Sequence, residues 1–323
     1  MCASFGLFLS ALLSALLSTL CAIALWEGAL FGAEGKPLSA AERWTNSRAT
    51  GAPVHTLPLH MTRQASSDLE VSGELASLPK GAPGYVALKD LLELPQVSYT
   101  VPADPNFAKR TTISGVPLDE LLRLLSATAA TDMILAVCDD KYQAAYPHAY
   151  VAAHHPLLVL KVDGKLPPGW PKDPDAQSFS MGPYMISQPT FKPSFKILAH
   201  SDAAQIPWGV VRLEFLDERA VFKAISPQGP HAQDAAVQAG YRIAQQNCYR
   251  CHNMGREGGQ KAGRSWAVLG ALAFASPDYF AAYVREPKKK NPRAEMPGNP
   301  SYDQETIEAL RAYFQTFAPQ ERP

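Results

Sequence analysis

Cys248-Tyr249-Arg250-Cys251-His252 is the stretch from which the rest of the chain can be read. Just upstream, Val237, Gly240, Tyr241, Ala244 and Cys248 recur at helical spacing and line one face, so the two thiols stand at the end of a helix. Downstream, Tyr279 to Arg285 fits a second helix that stops before Pro287. A third begins near Ser301-Tyr302-Asp303, where Ile307, Leu310, Phe314 and Phe317 form an apolar stripe. Residues 232–323 therefore predict a small all-α domain with the two cysteines and the histidine at the end of its first helix.

Three residue types in that order narrow the chemistry. Two thiols three residues apart lie on one side of a helical turn, where they can add across the two vinyl groups of one porphyrin. The adjacent imidazole then faces the iron. C-x-x-C-H is the c-type haem attachment pattern, which makes Cys248 and Cys251 the covalent anchors and His252 the proximal ligand of one haem c. A thioredoxin-like C-x-x-C expects a βαβ setting, and this pair ends an Ala-rich helix. A zinc site needs two more ligands, but the region has no further Cys and one other His, His231. The sixth ligand follows by elimination. No His lies after His252, and Met254 is too close in sequence to reach the opposite face of the ring. Met296, in Ala294-Glu295-Met296-Pro297-Gly298, can present its thioether there. A lone Met is more often core filler, but in a haem domain a His/Met pair is an established ligation that raises the potential.

With these pieces in place, residues from about His231 to Phe317 resemble a class I cytochrome c domain. The matching features are Gly240-Tyr241 in the first helix, the attachment motif, the Met296-Pro297 loop and Tyr313-Phe314 in the last helix. The resemblance implies that the first and last helices cross at Gly240, with Tyr313 or Phe314 packed across it. Arg285-Glu286-Pro287 is similar to the stretch before the family's methionine loop. Lys288-Lys289-Lys290 reads as a solvated charge run or as a docking patch.

The chain as a whole has 323 residues, enough for two domains, and 46% hydrophobic against 19% charged residues, which excludes a disordered chain. Thirty basic and thirty acidic side chains cancel, so no nucleic-acid partner is expected. Five cysteines, an odd number, argue against a simple disulfide framework.

Ahead of the helical region lies an α+β pattern from about Trp44 to Phe222. Strand-like runs at 68–73, 133–137, 157–162 and 210–215 are bounded by Gly, Pro and Asp. Short helices fit Leu88 to Leu94 and Leu118 to Leu125. Residues 223–231, with Ser226-Pro227-Gln228-Gly229-Pro230, read as a linker. This region resembles the molybdopterin-binding domain of sulfite-oxidase-like oxidoreductases. Leu69 to Leu75, Val86 to Pro95, Ser114-Gly115-Val116-Pro117-Leu118, Asp139 to Tyr142, Val162 to Pro167 and Trp208 to Arg212 follow that family's order.

The departure from the family is as informative as the match. The resemblance implies a molybdenum-ligating cysteine between the Leu-Pro and Gly-Val-Pro-Leu segments. The loop from Val97 to Arg110 has none and offers Asp104, Asn106 and Lys109 instead. Cys138 falls later, in a strand, where a buried thiol is the default. Molybdopterin is therefore doubtful as a cofactor. His154 and His155, placed on a strand, would face opposite sides and share no site.

Residues 1–33 contain an apolar run from Ala3 to Trp26 with no charge until Glu27, of a length suited to a secretory signal or an N-terminal membrane anchor. Cys21 follows Leu20, which does not suit a lipoprotein signal. The expected location is the periplasm or the outer face of the cytoplasmic membrane. Two functions fit. One is an exported electron-transfer cytochrome, whose first domain docks a redox partner or respiratory-chain component or binds a ligand. The other is a molybdenum-dependent, sulfite-dehydrogenase-like oxidoreductase that feeds its own haem.

Overall fold

The computed structural model describes residues 57–102, 104–171 and 181–318. The apolar leader and the first residues of the α+β region lie outside this span. Among the described residues no helix is long and apolar enough to cross a membrane.

The α+β region is built on a nine-stranded sheet. Its strands are β1 (Leu69–Gly73), β2 (Gly84–Val86), β3 (Val97–Val101), β4 (Thr111–Pro117), β5 (Met133–Cys138), β6 (Gln143–Pro147), β7 (Leu157–Val162), β8 (Tyr184–Ser187) and β11 (Trp208–Leu216). Between the last two, β9 (Lys196–Ile197) and β10 (His200–Ser201) form a separate small hairpin. The main order is β2-β1-β11-β8-β7-β4-β3, with β5 paired to β11 and β6. β5 is buried at every position, as its unbroken Met-Ile-Leu-Ala-Val-Cys sequence requires of an interior strand. β11 pairs with β8 at Trp208 and Val210, with β5 from Val210 onward and with β1 from Arg212 onward. The register shift there follows Gly209, whose φ of 67° suits glycine.

Helices α1 (Leu88–Glu93), α2 (Leu118–Leu124), α3 (His148–His154) and α4 (Glu218–Phe222) flank the sheet region in sequence. Leu118, Leu121, Leu122 and Leu125, the face expected from spacing, are all buried. Two expectations need correction. Val97 to Arg110 is not all loop: Val97–Val101 is β3, paired antiparallel with β4 along its whole length. Its alternating Val-Ser-Tyr-Thr-Val pattern suits an edge strand. His154 is not on a strand but ends α3, and His155 is that helix's left-handed cap with φ 48°. His154 is buried, with Nε2 2.9 Å from Asp202 Oδ2, and the same carboxylate accepts from the Ser194 amide and hydroxyl.

The C-terminal region contains α5 (Ala235–Asn247), α6 (Trp266–Ala275), α7 (Pro277–Arg285), α8 (Pro287–Lys290) and α9 (Gln304–Gln315), plus a two-residue hairpin of β12 (Asn253–Met254) and β13 (Glu257–Gly258). α5 and α9 cross at Gly240, where a Cβ atom would lie 2.1 Å from the Ala309 oxygen and 2.8 Å from Tyr313 Cβ. The glycine is there because any side chain would hold the helices apart. Tyr313 is the aromatic across the crossing. Its hydroxyl donates to the Ile225 carbonyl at 2.6 Å and accepts from Trp266 Nε1 at 2.9 Å.

That bond to Ile225 shows how the two regions join. Lys223–Ile225 is a 3₁₀ turn and Ile225 is fully buried. Met133, Leu135, Val221, Phe222 and Ile225 share one apolar cluster with Val237, Ile243, Tyr249, Trp266 and Phe314. The junction is a packed seam, with exposed residues confined to its Gln228–His231 end and Lys223.

Candidate haem site

The attachment segment continues α5 by one turn. Cys248 and Tyr249 both donate their amides to the Ala244 carbonyl, at 2.9 and 3.0 Å, and His252 donates to the Cys248 carbonyl at 3.0 Å. A turn at a helix end leaves carbonyls that need donors. Tyr249 O accepts from Gly259 N at 2.8 Å and Cys251 O from Ala262 N at 2.9 Å. Arg250 O accepts from Gln143 N of β6 at 2.9 Å. Gly259 allows this closure, because a Cβ there would sit 1.8 Å from the Arg250 oxygen.

Both thiols are half-buried and unbridged. Burial pushes Cys248 up to about 12 and raises Cys251 as well. A redox-active pair needs the opposite, a lowered thiol pKa, so this environment favours the neutral thiols. Among the described residues no group of three or more His, Cys, Asp or Glu is placed to hold a metal ion.

His252 is held by one defined hydrogen bond. Its Nδ1 lies 2.6 Å from the Arg264 carbonyl oxygen, which can only accept, so Nδ1 carries the proton. That leaves Nε2 with a free lone pair and fixes the ring's orientation. Burial lowers the imidazole's pKa, and the Arg264 charge adds to this against the pull of the Arg264 carbonyl. The ring is thus kept in the neutral form that binds metals.

Met296 is half-buried in a stretch without regular structure. Anchors stand on both sides of it. Ala294 is buried and donates to the Asn291 carbonyl at 2.9 Å. Asn299 donates its amide to the Arg285 carbonyl at 2.9 Å and its side-chain nitrogen to the Val284 carbonyl at 3.2 Å. Arg285 in turn donates to the Tyr302 carbonyl at 2.9 Å, so Arg285-Glu286-Pro287 underpins this loop. Met254 lies in β12, turned back by its hairpin with β13. Lys288, Lys289 and Lys290 are exposed.

In the sheet region Asp104 occupies the segment where the resemblance places a thiolate. It is buried, its Oδ1 accepts from Asn106 N at 2.8 Å and its Oδ2 from the Ser187 hydroxyl. Asn106 donates onward to the Ile206 carbonyl at 2.9 Å, and Lys109 is exposed. These residues pin their own loop to β8 and the chain before β11. Cys138 is buried at the end of β5, and burial, then Asp140 and Asp139, push its thiol far up.

Sequence reasoning did not find the contacts that complete the site from the sheet side. Lys141 O accepts from Gln260 N at 3.1 Å, and Asp140 pairs with Lys261 at 2.5 Å. His200 of β10 reaches Tyr302 and Gln246. The first contact and that of Gln143 run through the main chain and leave no side-chain signature, and His200 stands in no motif.

Residues 235–314 match the family model described as cytochrome c oxidase, cbb3-type, subunit III. This part of the chain is a cytochrome c domain. A cytochrome c domain implies haem c and a redox partner, and C-x-x-C-H lies inside the matched span. No curated protein matches the chain by sequence. Among solved structures it is similar to the sulfane dehydrogenase SoxCD from Paracoccus pantotrophus, with 14% identity, a TM-score of 0.33 and coverage of 54% of this chain. The match spans 45% of that structure's chain.

Proposed function

We propose that this chain is an exported one-electron carrier on the periplasmic side of the membrane. In its cytochrome c domain Cys248 and Cys251 would hold one haem c covalently, and His252 and Met296 would bind its iron. When bound, the haem supplies a reversible one-electron centre whose potential a thioether ligand raises. The polypeptide's part is positional. His252 is oriented through Arg264, the carbonyls of Cys248, Tyr249, Arg250 and Cys251 each accept a main-chain amide, and Tyr249, Trp266 and Phe314 are buried in the core of the same region. The observation that carries the reading is the Nδ1 bond of His252, which leaves Nε2 for iron beside two neutral thiols.

The sheet domain is read as a sulfite-oxidase-like scaffold without a molybdenum-ligating thiolate, serving to dock a partner or bind a ligand. Molybdenum beside a pterin dithiolene needs a soft anionic sulfur, and the segment concerned offers a buried carboxyl already engaged by Ser187 and Asn106. The test is metal and haem analysis of the exported, purified chain. One iron per chain, a haem-staining band that survives denaturation and its loss in Cys251→Ser support the proposal. Stoichiometric molybdenum overturns the carrier reading in favour of an oxidoreductase.

A further inference from the structure

A chain of polar contacts, buried at His200 and Tyr302 and half-buried beyond them, runs from the sheet domain to the loop that carries Met296. His200 of β10 is buried, with Nδ1 2.5 Å from the Tyr302 hydroxyl and Nε2 2.5 Å from Gln246 Oε1. Gln246 Oε1 can only accept, so Nε2 holds the proton and Nδ1 accepts from Tyr302. The same hydroxyl accepts from Asn247 Nδ2 at 3.1 Å, and Asn247 Nδ2 also donates to Asn299 Oδ1 at 3.0 Å. Asn247 immediately precedes Cys248, and Asn299 is the anchor at the far end of the methionine loop.

These contacts are not needed to hold the two regions together. A continuous apolar cluster already does that. Burying an imidazole and a phenol and half-burying three amides brings a desolvation cost that is offset only where a group finds its partner, which Gln246 Nε2 does not. Such a network fixes geometry: each member specifies the orientation of the next. What it specifies here is the distance between the end of the attachment helix and the end of the methionine loop, read from a residue of the other domain.

We infer that His200 is a positioning residue of the sheet domain that, through Tyr302, Asn247 and Asn299, sets how firmly the Met296 loop is held on the haem. The inference rests on Met296 as sixth ligand, as proposed above. It gives the sheet domain a role in the haem centre that requires no cofactor of its own.

The test is competition at the sixth position in the full-length, haem-loaded ferric protein, titrated with imidazole and followed by the near-infrared sulfur-to-iron band. His200→Ala and the gentler Tyr302→Phe should each raise the affinity for imidazole about tenfold, the equivalent of one buried hydrogen bond. The band should also weaken before imidazole is added. Thr306→Val serves as the comparison. It removes the bond from Ala199 N to Thr306 Oγ1, 2.9 Å, and that from Thr306 Oγ1 to Asp303 Oδ1, 2.7 Å, and so loosens the same hairpin and the start of α9 while leaving every member of the relay in place. Its imidazole affinity should match the parent. Unchanged affinity in both His200→Ala and Tyr302→Phe, or an equal rise in Thr306→Val, overturns the inference. Met296→Ala separates the two readings. A band that survives in that variant overturns the ligand assignment and the inference with it; a band lost there, with no response to His200→Ala or Tyr302→Phe, overturns the inference alone.

Discussion

The main-chain nitrogen of Gln143 donates to the carbonyl oxygen of Arg250 at 2.9 Å, so the middle of the attachment segment is completed by the sheet domain. The bond from Gln260 N to Lys141 O ties the chain just after the β12–β13 hairpin to the same part of the sheet domain. A haem domain tied in this way is not a module on a tether. The Pro-Gly stretch after Ile225 joins two regions that share a core, and whatever the sheet domain grips lies at a fixed place relative to the attachment turn.

One consequence is cooperative unfolding. Thermal melts followed in the Soret band and in the far-ultraviolet should coincide, because Phe222, Ile225, Tyr249 and Trp266 belong to one cluster. Melting of the sheet in a separate, earlier step would contradict a shared core. Lys261→Ala should cost only about 0.2–1 kcal/mol, since its pair with Asp140 is more than a third exposed on both sides.

Gly240→Ala tests the helix crossing. The added methyl would meet the Ala309 carbonyl at 2.1 Å, and backbone cannot step aside as a flexible side chain can. A loss of about 3 kcal/mol is expected, at the upper end of ordinary overpacking. Chemical unfolding of the haem-loaded protein measures it, and a loss below about 1 kcal/mol would mean that the helices cross elsewhere.

What could be read in the sequence was what depends on local pattern. Ile307, Leu310, Phe314 and Phe317 announced α9, and Leu118 to Leu125 announced α2, because one buried face imposes a period on the residues that cover it. C-x-x-C-H is contiguous, so its chemistry needs no fold to be recognised. α6 was missed for the complementary reason. Trp-Ala-Val-Leu-Gly-Ala-Leu-Ala-Phe-Ala is apolar all round and shows no face. The join between the domains left no trace because main-chain atoms of Lys141, Gln143, Arg250 and Gln260 make much of it.

Asp104 yields a prediction in which two substitutions differ. Burial raises its carboxyl pKa above 3.8, against the pull of Ser187 and Asn106. A raised carboxyl stabilises the fold while protonated, and that contribution is lost as pH rises through the folded-state value. Asp104→Asn cannot suffer this loss, keeps an acceptor for the Asn106 amide and can donate to Ser187, whose hydroxyl is free to turn. It should be at least as stable as the parent at pH 7. Asp104→Ala leaves the Asn106 amide and the Ser187 hydroxyl without a partner and should cost about 1–3 kcal/mol for each group. Denaturant midpoints at pH 7 check both, and an Asn variant as damaged as the Ala variant would show that the charge itself is required.

His200 predicts an acid-side loss of stability with a defined sign. Burial lowers its pKa below 6.5; the bond to Gln246 opposes that, Arg250 reinforces it and Asp202 opposes it. As pH falls below about 6.5, the imidazole of the unfolded chain takes up a proton while the buried ring does not. The unfolded state is then favoured, and stability declines until the folded-state pKa is reached, where the loss levels off. The slope from this one group cannot exceed about 1.4 kcal/mol per pH unit. His200→Gln removes the titration and retains a side chain that can bond to Gln246. Its stability profile should therefore be flatter than the parent's between pH 5 and 6.5, with the other histidines contributing equally to both. Unfolding midpoints at half-unit intervals across that window give the difference directly. Parallel profiles would mean that His200 is charged inside the fold, which is incompatible with a ring that donates to Gln246 and accepts from Tyr302.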